Sequence, residues 1–258
     1  MGARSGPLAL ADGTAEEFDE RMTERLPSTS DPLPEGETAG CDTSDILLVH
    51  RIFRWGFREM PRLVRAAPPG DRSRTATVAD SVDLVLLGLH VHHEAEDLLL
   101  FGKVEARRPA CAATIDLMRD QHRHVAELLG RAEPLSAAWR DSADGRAAER
   151  LAAALDEIGT VLGVHLQDEE DDVIPVAAEE FSQREWDALG EHGRESFPKD
   201  GMPIQLGLML DALPPAERAE WSRGHLPFPI RLLWAILLKR RYTAWQRELF
   251  PEGMPALV

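Results

Sequence analysis

The chain has 258 residues, with 29 Lys and Arg against 45 Asp and Glu, a formal net charge of −16 and 43% hydrophobic residues. That balance argues against a nucleic-acid partner, because displacing counterions from phosphate needs a basic face. Cys41 and Cys111 are too few for a disulfide framework and point to a reducing, cytoplasmic setting. The apolar run Leu8 to Ala11 is too short for a signal-peptide core, and Leu226 to Leu238, interrupted by Arg231, falls short of the ~20 residues of a membrane span.

Residues 1–42 are rich in Gly, Pro, Ser, Thr and acids. Residues 1–45 hold 3 basic and 11 acidic side chains, so −8, half the net charge of the chain. Such a segment buries too little apolar area to offset its ordering entropy, and it reads as a disordered acidic arm. Four long helical patterns follow: from Thr43, a candidate N-cap, to about Ala66, with Pro61 expected to kink or end it early; from Thr77 to Phe101; from Ala112 to about Leu129; and from Arg146 to Val173. Short connections between long helices predict an all-α, antiparallel up-down four-helix bundle over residues 43–176. Residues 177–258 read as a C-terminal helical extension. It opens on a capping box, Ser182 to Glu185, passes through a short helix at Ala216–Arg223 and ends in a helix from Pro229 to Leu249 with the basic patch Lys239-Arg240-Arg241. That last helix is expected to pack on the bundle or form a dimer contact rather than bind a membrane.

Reading each long helix at steps of three and four shows where its apolar stripe runs. The first gives Ile46, His50, Phe53 and Phe57; the second Val85, Leu89, His92, Glu96 and Leu99; the third Met118, His122 and Val125; the fourth Leu162, His165 and Glu169. A lone histidine on such a stripe is ordinarily a hydrogen-bonded core residue. One per helix, with a carboxylate one turn after two of them, is a different matter, since buried carboxylates cost several kcal/mol unless paired or metal-bound. Four imidazoles and two carboxylates without cysteine do not suit structural zinc, and they carry too much nitrogen for magnesium or calcium. They suit a pair of first-row ions, iron before manganese or a mixed site. The absence of Glu-x-x-His disfavours the ferritin-type arrangement.

The block His92-His-Glu-Ala-Glu96 resembles the signature of the hemerythrin-like HHE domains, and His165-Leu-Gln-Asp-Glu169 resembles the matching motif of their last helix. Val49-His50 and Asp120-Gln-His122 are similar to the single-histidine helices. The resemblance implies a non-haem di-iron centre (Fe2+/Fe3+, oxo- or hydroxo-bridged) with His50, His92, His122 and His165 as ligands and Glu96 and Glu169 as bridges. The oxygen carriers of that family have a further histidine four residues after the one on the third helix, where this chain has Ala126. Fewer imidazoles imply an open metal position and reaction rather than reversible storage.

His90, His93 and His124 are read as surface residues. Glu94, Asp97, Glu170, Asp171 and Asp172 are read as solvated faces, or as an entry path for Fe2+. Gln121 and Asp168 are candidates for orienting ligand imidazoles. His192 and His225 are assigned no metal role, and Cys111 is read as a core filler. The functional expectation is an oxidase or oxidoreductase that reduces dioxygen, peroxide or a related small oxidant with electrons from a small organic substrate or an external donor. The alternative is iron homeostasis, iron-centre repair, or binding and sensing of dioxygen or nitric oxide. An apolar pocket of the C-terminal extension touching the metal site would favour the oxidase.

Overall fold

The computed structural model describes residues 32–257. Four long helices, α1 (Ser44–Ala66), α2 (Arg72–Leu99), α4 (Ala112–Ser142) and α5 (Gly145–Asp172), carry the bundle, with a short α3 (Phe101–Arg107) between the second and the third. Helix α1 packs against α2 and α5, and α4 packs against the same two, which closes a square of helices. No strand occurs among the described residues beyond a single bridge between Gly40 and Ser182.

Local chemistry sets the helix ends. Asp71 accepts from Arg74 N, and Asp144 accepts from Arg146 N and Ala147 N, each satisfying N-terminal amides. Thr43, the expected cap, makes no side-chain cap bond; Asp42 Oδ1 accepts from Ser44 N instead. Helix α1 does not end at Pro61. It continues to Ala66, because Met60 and Val64 on either side are locked in the core, and packing outweighs one missing backbone bond. Helix α4 likewise runs 13 residues past Leu129, through Pro134 on its exposed face, to Ser142.

The C-terminal extension comprises α6 (Ile174–Glu180), α7 (Gln183–Ser196), α8 (Met202–Asp211), α9 (Arg218–His225), and α10 (Phe228–Leu233), which passes through a π-turn at Trp234–Leu238 into α11 (Lys239–Leu249). The predicted capping box is present, with Ser182 Oγ accepting from Glu185 N and the Glu185 carboxylate accepting from Ser182 N. Helices α8 and α11 meet so closely that a Cβ on Gly207 would overlap the Tyr242 ring. Trp245 donates to Ser81 Oγ at 3.1 Å, Arg74 donates to the carbonyls of Glu248 and Leu249, and Trp55 donates to the carbonyl of Pro255 at 3.1 Å. The extension is therefore pinned to the bundle, as expected, while Phe228, Ile236 and Leu237 stay exposed. No described helix is long and apolar enough to cross a membrane.

Of the expected N-terminal arm, residues 1–31 lie outside the described residues. Its remainder does not run free: Gly40 N donates to the carbonyl of Phe181, Cys41 N to that of Ala178, and Ser182 Oγ bonds Glu37.

Two apolar clusters fill the bundle. The larger contains Phe53, Leu89, Val125 and Leu162; the smaller, at the other end, contains Ile46, Leu100, Met118 and Val173. Along each long helix the predicted histidines and glutamates fall between these clusters. They form a polar layer across the middle of an apolar interior.

Candidate metal centre

Within that layer His50, His165, Glu96 and Glu169 are completely buried and His122 nearly so, while the His92 side chain is 8% exposed. All six predicted residues come together. His92 Nε2 lies 3.2 Å from Glu96 Oε1, His122 Nε2 3.5 Å from Glu96 Oε2, His50 Nε2 3.4 Å from Glu169 Oε2, and His165 Nε2 3.8 Å from Glu169 Oε2.

A seventh residue joins them. His93, expected on the surface, is 6% exposed and stacks on His122 with ring centroids 4.0 Å apart. Along α2 and its C-cap a buried stripe runs through Thr75, Val78, Val82, Leu86, Leu89, His93, Glu96 and Leu100, seven turns in 25 residues. The stripe read from sequence took Val85, His92 and Leu99 instead, one position off. That small error moved His93 out of the core on paper. The donor atoms fall into two groups, His93, Glu96, His122 and His165, and His50, His92, Glu96 and Glu169, each with its atoms within 4.8 Å of one another. Glu96 belongs to both.

The outer faces of three imidazoles are fixed by partners. His50 Nδ1 lies 2.8 Å from Glu170 Oε1, and Arg54 donates to that same oxygen at 2.6 Å. His122 Nδ1 lies 3.0 Å from Asp97 Oδ1. Gln121 donates through Nε2 to Asp168 at 2.8 Å, which leaves its Oε1 facing His165 Nδ1 at 3.0 Å. The expected orienting role of Gln121 and Asp168 is thus present in the geometry. Asp97 and Glu170, expected on solvated faces, are corrected to imidazole partners. Asp171 and Asp172 are exposed as expected, and Glu94 pairs with His192 at 3.3 Å.

These partners are acceptors, so each of the three Nδ1 atoms carries the proton and each Nε2 turns a bare lone pair inward. The consequence is sharpest between His122 and His165, whose Nε2 atoms face each other at 3.2 Å. His50, His92 and His93 Nε2 and all four carboxylate oxygens of Glu96 and Glu169 have no hydrogen-bond partner, although they are buried. Burial, then the neighbouring imidazoles, pushes His92 and His93 well below the usual histidine range and His165 down to about 2, so these three imidazoles stay neutral. Burial and then Glu169 push Glu96 well above the usual carboxylate range. Glu170 is the opposite case: burial opposes ionisation, but bonds from His50 and Arg54 bring it down to about 2. An inward ring of imidazole lone pairs and carboxylate oxygens in an apolar interior fits a pair of first-row metal ions.

The site is not closed on all sides. A cavity of about 170 Å³ lies between α1, α2 and the C-terminal extension, and its wall includes both His92 and Glu96. Phe53 covers His92 at 5.1 Å between centroids, and Trp186, Phe197 and Trp245 of the extension form the far side.

Ala126 does not stand where a missing ligand would be. It is exposed, whereas Val125 beside it is buried. The open position inferred from Ala126 is therefore corrected, since His93 supplies a third imidazole on the side of His122 and His165.

A family model, the hemerythrin HHE cation binding domain, matches residues 42–177. No curated protein and no solved structure matches the chain.

Proposed function

The chain belongs to the hemerythrin HHE cation-binding family, and from that premise we propose that seven side chains hold two iron ions which reduce dioxygen, peroxide or a related small oxidant. Glu96, common to both groups of donors, and Glu169 would be held between the ions, His93, His122 and His165 would serve one ion, and His50 and His92 would serve the other. A bound iron pair supplies the electrons and the Lewis acidity for such a reduction.

The protein's own part is to orient and to exclude water. Glu170, Asp97 and Gln121 hold three imidazoles in the tautomer that turns Nε2 inward. The two apolar clusters keep bulk water from both ends of the layer. The observation that carries the enzyme reading is the cavity that reaches His92 and Glu96 and is walled by the C-terminal extension. A carrier of a diatomic gas has no need of such a space.

The second reading, reversible binding of dioxygen or sensing of nitric oxide, draws support from the fifth imidazole, His93. The two separate in one measurement: reduced protein is mixed with oxygenated buffer in a stopped-flow cell and then purged with argon. Enzyme chemistry gives an absorbance change that ends in ferric iron and persists under argon. Clean, repeatable uptake and release overturns it in favour of the carrier.

A further inference from the structure

The cavity beside the metal layer has a definite chemical character. No lysine or arginine lines it, and apart from the metal-facing His92 and Glu96 its charged and hydroxyl groups are already engaged: Asp45 Oδ1 accepts from Trp186 Nε1 at 2.9 Å, while Ser81 Oγ accepts from Trp245 Nε1 and donates to the Thr77 carbonyl. Gln205 adds one neutral amide. Phe53, Trp55, Trp186, Phe197 and Trp245 contribute aromatic surface, and aliphatic side chains such as Ile52, Val85 and Leu208 complete the wall. Three lining positions, Gly88, Gly190 and Gly193, are glycine and add no side-chain bulk to the wall. A Cβ on Gly88 would lie 3.6 Å from the rings of Phe53 and Phe197, and one on Gly193 would meet nothing within 4 Å.

We propose that this cavity is the substrate site of the metal pair and takes a small, uncharged, largely apolar organic molecule of benzene to indole size, with at most one neutral polar group. The size follows from the volume: about 170 Å³ slightly exceeds the roughly 150 Å³ of an apolar cavity that holds benzene. The charge follows from the wall, because an anion there finds no cationic partner and would lose its hydration uncompensated. A cation would have only Asp45, which already accepts from Trp186 and whose carboxylate burial pushes up towards the neutral form, and Glu96, which is committed to the metal layer. The orientation follows from the layout, with the metal-facing atoms of His92 and Glu96 at one side and the aromatic side chains of the extension at the other. The inference rests on the di-iron reading only for the bound molecule's role as reactant; binding itself does not need it.

The test is calorimetry and thermal melting of the full-length protein as isolated, under argon, with indole, benzoate and benzylamine as probes. Indole is expected to bind saturably at one site per chain and to raise the melting temperature. Benzoate and benzylamine are expected to bind at least about tenfold more weakly, since each buries an uncompensated charge. Gly193→Leu fills the space and should weaken indole at least about tenfold while leaving iron content and helical circular dichroism unchanged. Ile204→Trp, on α8, should do the same from the opposite wall, and it decides the matter if the first variant misfolds. The proposal is overturned by absence of saturable indole binding, by unchanged binding in a folded variant, or by benzoate binding as tightly as indole. Indole binding in a chain that holds no iron supports the cavity and removes the di-iron reading. Oxygen chemistry at iron without indole binding overturns the cavity and leaves the di-iron reading in place.

Discussion

The two halves of the polar layer share Glu96 but are built differently. One half, His93, His122 and His165, offers three imidazoles, and His122 is backed by Phe101 at 5.0 Å, inside the smaller apolar cluster. The other half, His50 and His92, offers two imidazoles with Glu169 and adjoins the cavity. Donor count and access therefore vary in opposite directions across a few ångströms: the half richer in nitrogen is enclosed, and the half poorer in nitrogen faces the space where a molecule can approach. The lesson is that the missing third-helix histidine does not locate the reactive side. Packing of α2 places His93 in the enclosed half and leaves the half with two imidazoles facing the cavity.

The strongest way to break that comparison is to remove what the halves share. Glu96→Ala should take iron content from about two ions per chain to nearly none, because each ion loses a ligand and the bridge between them; metal analysis of the purified variant checks this, and retained iron would remove Glu96 from the centre. A difference between the halves should appear next. His93→Ala should lower iron content by about half in a protein that stays helical, because an enclosed site cannot recruit solvent in place of the lost nitrogen. Ala126→His should leave both iron content and the oxygen reaction unchanged, since that side chain points to solvent. A variant at position 126 that altered the oxygen kinetics would contradict the geometry of α4.

Smaller effects test the supports. Asp97→Ala and Glu170→Ala each release one imidazole, on the enclosed and open halves respectively, and should each cost about 10- to 100-fold in metal affinity, read by competition with a chelator. The smallest effect concerns the scaffold of the cavity. Glu185, beside the wall residue Trp186, accepts from Arg107 at 2.6 and 2.9 Å and from Lys103 at 3.0 Å. Burial opposes its ionisation, but these cations hold it at about 2. A lowered folded-state value means that the stabilisation is present above the ordinary value of 4.5 and is lost as pH falls from there towards 2. Glu185→Ala should cost about 2 kcal/mol at neutral pH, with the difference from the unmodified protein vanishing in acid; thermal melts across pH measure it.

Much of this was legible in the chain itself. Apolar residues recurring at 3.6-residue intervals specify helices, and a histidine or glutamate placed on such a stripe is carried into the core with it. His50, His122 and His165 with Glu169 follow from that rule alone, as does Glu96. The capping box at Ser182 is equally local. Each of these rests on residues within a turn or two of one another, where spacing determines direction.

What escaped depended on register over many turns or on contacts between distant segments. His92 and His93 are adjacent, 100° apart on the helix, and both flank the same seam, so an error of one residue in 25 assigns one of them to solvent. Asp97 belongs to His122, 25 residues away, and Glu170 to His50, 120 away. No spacing announces such pairs. The cavity is further from sequence still, for it lies where Gly88 of α2 faces the rings of Phe53 and Phe197, and its far wall is brought by helices more than 90 residues further along the chain. Periodicity along the chain determined which faces are buried and what chemistry they carry. Only the packing of those faces against one another decided which donors share an ion, which acceptors orient them, and from which side the centre is reached, because those are distances between segments the chain does not keep close.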